Sequence, residues 1–130
     1  MRKNFKNLVL VLTAVLLGMG LHASSNLAAG EGKQAKIREI KLVNLEYEGT
    51  KIWLPGLIVC KKGETVKLTL INNAPSGQHG FAIDQFKVQV VVEKGIPGNV
   101  EFKANKAGLF PFHCHMHPAH VGGQILVLDK

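Results

Sequence analysis

Residues 112–120 read Phe-His-Cys-His-Met-His-Pro-Ala-His, so that four imidazoles and one thiol fall within nine positions. No other segment of the chain has a comparable density of soft metal ligands. Cys114 and His117 are three positions apart, a spacing that lets one tight loop supply a thiolate and an imidazole to the same ion. A second strong imidazole must come from elsewhere, and His79 is the only histidine between residue 26 and this cluster.

The first 25 residues have the composition of a secretory signal. Residues 1–6 carry three basic side chains, residues 8–21 are uncharged and mostly apolar, and small residues follow at 23–25. This apolar run of 14 residues is shorter than the ~20 residues that a membrane-spanning helix needs. We therefore predict a signal peptide over 1–25, export to the periplasm or a comparable compartment, and no stable membrane insertion after cleavage.

The rest of the chain has the length of one domain. Residues 26–36 show no hydrophobic periodicity and are expected to form a flexible lead-in, whereas residues 37–130 are expected to form the folded domain. The formal net charge is +7, and the basic side chains after the signal are scattered. Because there is no Arg cluster interleaved with aromatic residues, nucleic acid is not an expected partner. The charge forms either a solvated surface or a docking face for an acidic redox protein.

Short runs of alternating apolar residues fill the predicted domain. Such runs occur at 66–70, 88–92 and 100–102, with turn compositions at 72–77 and 94–99 between them. This pattern predicts an all-β fold, specifically a Greek-key antiparallel β-sandwich of about seven or eight strands. If the strand after His79 lies beside the strand before Cys114, the two residues meet at one end of the sandwich. Cys60 alternates with Ile58, so we expect a buried thiol there rather than half of a disulfide.

The order of these pieces resembles the cupredoxin family of small copper proteins. The resemblance runs from residues 58–66, through Asn72-Asn73 and residues 79–83, to residues 108–114 and the final strand. It implies one copper ion per chain, with His79, Cys114 and His117 as the strong ligands. In the commonest blue members a weakly bound Met follows the second His, whereas no Met follows His117 in this chain.

The identity of the fourth ligand stays open at this point. His120 occupies the place that the Met would take in a short ligand loop, and Gln124, a carboxylate or no axial ligand are the alternatives. A fourth His would favour a tetragonal geometry and a lower potential than a thioether would. That arrangement is similar to nitrosocyanin, a red copper cupredoxin with Cys, two His and a carboxylate; Glu46 and Glu48 are the acidic candidates here. The candidate metal ligands are His79, Cys114, His117 and His120.

The resemblance implies an electron carrier, and a small redox enzyme stays open as an alternative. Such a protein would pass single electrons between transiently bound redox partner proteins by cycling between Cu(II) and Cu(I). Two alternatives remain open: a copper carrier or store, and a nitrosocyanin-like red site that binds a small molecule. Zinc is a third, because Cys with three His is also a tetrahedral zinc set. A multicopper oxidase is not expected, since its trinuclear cluster needs further His-x-His pairs. The oligomeric state is not predicted.

Overall fold

A computed structural model describes residues 36–129 of the chain. The predicted signal peptide and all but the last residue of the predicted lead-in lie outside this range. Within it the chain forms a 3₁₀ turn at Asp84–Phe86 and nine strands, which are β1 (Ile37–Tyr47), β2 (Thr50–Leu54), β3 (Leu57–Lys61), β4 (Thr65–Asn72), β5 (His79–Ile83), β6 (Val88–Val92), β7 (Gly98–Lys103), β8 (Gly108–Phe112) and β9 (Gly123–Leu128).

The strands form a sandwich of two sheets. The first sheet has the order β2-β1-β4-β7, and the second has the order β3-β9-β8. The β5-β6 hairpin extends the second sheet, because Ala82 and His113 exchange two backbone hydrogen bonds of 2.8 and 3.0 Å. Apolar side chains from both sheets share one buried core. The predicted all-β sandwich is confirmed.

Two details differ from the expected antiparallel arrangement. The structure has nine strands, and two of its strand pairs are parallel, β1 with β4 and β3 with β9. Alternation of apolar residues shows which side chains of a strand are buried, but it carries no information on the direction of the neighbouring strand. Non-consecutive neighbours in both sheets mean that the chain crosses repeatedly between them.

The inward-facing rows of β1 and β4 end in polar residues. In β4 the buried positions alternate through Val66, Leu68 and Leu70 and finish at Asn72. In β1 the buried positions are Leu42 and Asn44, and Asn44 is the register partner of Asn72. We call this end of the sandwich, with the loops at 73–78 and 113–122, the site pole. The opposite end, where Arg38 and Glu64 lie, is the far pole.

Aromatic side chains lie beneath the site pole. Trp53 is fully buried and its indole N–H donates to the carbonyl of Gly80 over 3.0 Å. Its ring meets Phe81 edge to face and lies alongside the ring of His120. These contacts place a buried aromatic layer under the residues of the pole.

Cys60 is buried next to Ile58, as the alternation predicted, and both cysteines of the chain are free thiols. No helix among residues 36–129 is long and apolar enough to cross a membrane.

Candidate metal centre

The four candidate ligands converge at the site pole. His79 begins β5, Cys114 follows β8, and His117 and His120 lie in the loop before β9. The ligand atoms of His79, Cys114 and His120 all lie within 4.8 Å of one another. The Sγ atom of Cys114 is 3.4 Å from Nδ1 of His117, and the His79 and His117 ring centroids are 4.8 Å apart. The fold therefore brings together the four residues that the sequence singled out.

The pairing of β5 with the end of β8 explains this convergence. The two hydrogen bonds between Ala82 and His113 fix the register of the two segments. The next residue, Cys114, turns its side chain inward, and its sulfur accepts a 3.2 Å hydrogen bond from the backbone N–H of Gly80. Cys114 is 5% exposed. This hydrogen bond holds the Cys114 sulfur beside the start of β5.

Because Gly80 has no side chain, the imidazole of His115 can lie directly against it. A Cβ atom at this position would lie 2.5 Å from Nδ1 of His115, so the imidazole rests directly on the strand. Among the described residues, that Nδ1 is buried without a hydrogen-bond partner. His115 therefore covers the backbone whose N–H donates to Cys114, rather than facing the ligand cluster.

The hydrogen bonds around His79 determine which of its nitrogens carries the proton. Ser76 Oγ donates its single proton to Glu46 Oε2 over 2.9 Å, and it lies 3.3 Å from His79 Nε2. With that proton engaged, the hydroxyl can only accept from His79, so the N–H of the imidazole is on Nε2. Nδ1 is then bare, and within residues 36–129 it is buried with no hydrogen-bond partner. An unpaired buried acceptor of this kind fits a metal ligand.

His120 is held between two oxygens. Its Nε2 lies 2.9 Å from Oδ1 of Asn44, and its Nδ1 lies 3.0 Å from the backbone carbonyl of Val121. The residue is 7% exposed, and its ring centroid is 5.4 Å from that of His79. His120 is thus part of the buried cluster and not a ring at the surface.

Burial favours the neutral imidazoles that a metal requires. Desolvation lowers the pKa of His79, and the positive form of His117 nearby would lower it further, while a hydrogen bond to the backbone of Ser76 opposes both. Desolvation is also the main reason why the pKa of His120 is lowered. Metals bind the unprotonated ring nitrogen, so a depressed pKa prepares both side chains for binding near neutral pH.

The other candidates for a fourth ligand lie outside the cluster. Gln124 is exposed on β9, next to the buried Ile125. Glu48 is exposed in the turn between β1 and β2. Glu46 reaches the site only through the Ser76 hydroxyl, and its other oxygen is 3.7 Å from Nζ of Lys51. The geometry favours His120 among the alternatives that the sequence left open.

Sequence reasoning missed the side chains that support the ligands. Ser76 and Asn44 hydrogen-bond to His79 and His120, and Trp53 packs against His120. For Asn44 a signal existed, because this polar residue is in phase with the apolar residue Leu42 of β1. Nothing in the sequence indicates that Ser76 would bridge a carboxylate and an imidazole.

The candidate donor set consists of one cysteine sulfur and three imidazoles with a hydrophobic layer beneath. These soft and borderline ligands select copper or zinc over hard cations. The unpartnered Nδ1 of His79 and the neutral character of two imidazoles both fit a bound metal ion.

Comparison with known families gives an independent view of this site. The sequence matches the family described as the cupredoxin-like domain over residues 10–127. A search of curated proteins gives no match. Together with the cluster of His79, Cys114 and His120, the family match indicates copper binding.

Solved structures of copper proteins have the same fold. A copper binding protein determined by NMR in the apo form is 26% identical, with a TM-score of 0.56, and the match covers 74% of this chain and 92% of that one. The copper nitrite reductase from Nitrosomonas europaea is 21% identical over 73% of this chain and 42% of its own, with a TM-score of 0.59. A multicopper oxidase is 17% identical over 69% and 44%, with a TM-score of 0.61. The chain spans less than half the length of these two enzymes, and the likeness to them concerns the fold alone.

Proposed function

Because this chain belongs to the cupredoxin-like domain family, we propose that it is an exported mononuclear copper protein that transfers single electrons between redox partner proteins. When bound, the copper ion would supply the Cu(II)/Cu(I) couple, taking one electron from a donor protein and passing it to an acceptor protein. The observation that carries this proposal is the convergence of a buried thiol and three imidazoles at one pole.

Three of the four candidate ligands are hydrogen-bonded to side chains or backbone groups of the surrounding fold. Cys114 accepts a hydrogen bond from Gly80, His79 is bonded to Ser76, and His120 is bonded to Asn44. Side chains fixed in this way have little freedom to rearrange between oxidation states. Small rearrangement is what an electron carrier requires, so the preformed cluster supports electron transfer over a role that depends on ligand movement.

The ligand loop offers a surface for a transient partner. His117 is half-buried, and the residues next to it, Pro118 and Ala119, are exposed. Met116 and Val121, on either side, are 39% and 42% exposed. A small apolar surface beside a ligand imidazole suits the interfaces below about 1,200 Å² that weak redox encounters form. His117 is our candidate for the route by which the electron leaves.

Copper reconstitution tests the proposal, and substitution of each of the two buried cysteines gives a test variant and its matched control. The purified protein and the variants Cys114→Ser and Cys60→Ser are titrated with Cu(II) while visible absorption and electron paramagnetic resonance are recorded. Both thiols are buried, but only Cys114 lies in the cluster. We expect an intense thiolate charge-transfer band at one copper per chain in the wild type and in Cys60→Ser, and no such band in Cys114→Ser.

Reduction of the coloured protein by one electron equivalent should bleach the band, and oxidation should restore it. A colourless copper complex, or colour that survives in Cys114→Ser, would contradict the proposed centre. A colourless protein that binds zinc in preference would favour the zinc alternative. More than one copper per chain with rapid loss to a chelator would favour a carrier or store.

The burial of His120 favours a second candidate function. A strong fourth imidazole favours a tetragonal site, which is similar to the red copper type. Such a site would bind a small molecule such as nitric oxide if a coordination position stayed open. A charge-transfer band at shorter wavelength than in blue proteins, altered further by nitric oxide, would support this function; a band that does not respond to nitric oxide would favour the electron carrier.

Export rests on the N-terminal composition, and cell fractionation with mass measurement of the mature chain tests it. We expect a periplasmic or otherwise exported protein that lacks approximately the first 25 residues. An intact chain in the cytoplasm would contradict this part of the proposal.

A further inference from the structure

A buried chain of two side-chain amides connects His120 to the first sheet. Asn44 is 0% exposed and Asn72 is 1% exposed, and they are register partners on the parallel strands β1 and β4. Nδ2 of Asn44 donates to Oδ1 of Asn72 over 3.1 Å, and Oδ1 of Asn44 lies 2.9 Å from Nε2 of His120. Buried amides of this kind are costly unless each polar atom has a partner, so their orientations carry information.

Backbone groups determine the orientation of Asn72. Its Nδ2 lies 2.7 Å from the carbonyl of Gly77 and 3.1 Å from that of Val92, and both carbonyls can only accept. Its Oδ1 lies 3.1 Å from the backbone N–H of Ala74, which can only donate. Exchanging the oxygen and nitrogen of this amide would place like groups against each other at all three contacts. Asn72 is therefore oriented by the main chain.

The orientation of Asn72 determines that of Asn44. Because Oδ1 of Asn72 is an acceptor, the atom of Asn44 that faces it must be the donor Nδ2. The oxygen of Asn44 is left facing Nε2 of His120. Three backbone groups thus fix the orientation of both amides, and with it the kind of atom that faces His120.

His120 completes the chain. A neutral imidazole has only one N–H. Two oxygens compete for it here: Oδ1 of Asn44 lies next to Nε2, and the carbonyl of Val121 lies next to Nδ1. Among residues 36–129, His120 is the only hydrogen-bond partner of the buried Asn44 oxygen, whereas Val121 is 42% exposed and pairs with Ile52 in a parallel backbone bridge. Leaving the buried oxygen without a hydrogen-bond donor would be costly. The proton is therefore on Nε2.

We propose that Asn44 is a positioning residue that holds His120 in the Nε2–H tautomer, with Nδ1 as the nitrogen that binds the metal. The statement about metal binding rests on the proposed function. Ser76 produces the same tautomer in His79 through an unrelated contact. In both buried imidazoles Nδ1 then carries no proton, and the Nδ1 of His120 lies 3.0 Å from the Val121 carbonyl. The amide chain also connects His120 to the loop that carries Ser76, because Asn72 bonds to Ala74 and Gly77 of that loop.

Nuclear magnetic resonance of the metal-free protein tests the tautomer directly. Long-range correlations between the ring protons and the ring nitrogens of ¹⁵N-labelled histidine distinguish Nε2–H from Nδ1–H, and spectra are recorded at a pH where the ring is neutral. The variants are Asn44→Leu, which removes both amide contacts at similar volume, and Asn44→Asp, which keeps an acceptor for His120. Asn99→Leu, an exposed position on β7, is the matched control.

We expect the Nε2–H tautomer of His120 in the wild type, in Asn44→Asp and in Asn99→Leu. In Asn44→Leu the proton should move to Nδ1, where the Val121 carbonyl accepts it. Copper affinity should then fall about 10–100-fold, as for other lost partners of ligand imidazoles. The charge-transfer band of the copper form should move to longer wavelength, because the fourth ligand becomes weaker. Asn44→Asp should keep the wild-type band, which a merely structural role of Asn44 would not predict.

An Nδ1–H tautomer in the wild type would overturn the proposal, and so would an unchanged tautomer and band in a folded Asn44→Leu. If Asn44→Leu does not fold, the wild type and Asn44→Asp still decide the tautomer. Failure of the proposed function has a different signature. In that case the metal-free protein has the Nε2–H tautomer, but copper gives no thiolate band in any variant.

Discussion

Both poles of the sandwich bury polar groups, but only one of them satisfies those groups internally. At the far pole the carboxylate of Glu64, 3% exposed, accepts hydrogen bonds from Arg38 Nε at 2.8 Å and from the backbone N–H of Lys61 at 3.0 Å. At the site pole, among residues 36–129, Nδ1 of His79 and Nδ1 of His115 are buried without a partner. The two poles lie at opposite ends of β1. Arg38 and Glu46, at the two ends of its inward-facing row, are roughly 26 Å apart at ~3.3 Å per residue.

The contrast distinguishes buried polar groups that stabilise the fold from buried polar groups that are available to a ligand. A buried group whose partners are all supplied by the chain contributes to stability, as at the far pole. A buried group that lacks a partner reduces stability until a ligand arrives. The difference predicts opposite responses of the two poles to mutation and to metal.

The largest expected effect is stabilisation by metal, and it should depend on the site pole alone. Copper at about 1,000-fold excess over its dissociation constant should raise the free energy of unfolding by ~4 kcal/mol. His79→Leu should abolish this gain but leave the stability of the metal-free protein close to that of the wild type, because an unpaired nitrogen is removed. Thermal unfolding with and without copper measures both. A full gain in His79→Leu would show that His79 is not a ligand.

The far pole should give the reverse result. Glu64→Gln should lower the free energy of unfolding by about 2 kcal/mol, since it removes the charged acceptor for Arg38 and Lys61. It should keep the whole gain from copper. Glu101→Gln is the control, because its 3.5 Å ion pair with Lys67 is exposed, and its loss should cost less than ~1 kcal/mol. Urea unfolding makes the comparison, and equal effects of the two variants would contradict the assigned role of Glu64.

The same carboxylate gives the far pole a pH dependence. The hydrogen bond from Arg38 is the main reason why the pKa of Glu64 is lowered from 4.5 to about 2. Because the folded-state pKa lies below the unfolded value, this stabilisation is complete above pH 4.5 and is lost as the pH falls toward 2. Unfolding measured across this range should show a steeper loss for the wild type than for Glu64→Gln. Parallel curves would contradict the assignment.

A smaller effect is expected at Gly80. The Cβ atom in Gly80→Ala would lie 2.5 Å from His115 Nδ1, so the ring must move, and we expect a loss of about 1–2 kcal/mol. The N–H of this residue donates to Cys114, so the charge-transfer band of the copper form should also shift. Gly56→Ala is the control, because a Cβ atom there meets nothing within 4 Å. A shift of the band in Gly56→Ala, or none in Gly80→Ala, would contradict this account.

Much of the fold and the ligand cluster could be predicted from local patterns. The alternation of Val66, Leu68 and Leu70 predicts a strand with one buried face, and the density of His and Cys at 113–120 predicts a metal site. Strand direction could not be predicted, because a parallel pair such as β1 and β4 has the same alternation as an antiparallel one.

The supporting contacts could not be predicted, because they join residues that are distant in sequence. Asn44 and His120 are 76 positions apart, and Glu46 and Ser76 are 30 apart. Such pairs depend on which strands are neighbours and in what register. That information arises only when the sheets are assembled.

X-ray absorption of the copper-loaded protein tests the central claim most directly, because the fine structure identifies the atoms around the metal. We predict one sulfur at a thiolate distance together with imidazole nitrogens, with the sulfur lost in Cys114→Ser and retained in Cys60→Ser. A first shell of nitrogen and oxygen alone in the wild type would contradict a metal centre built on His79, Cys114, His117 and His120.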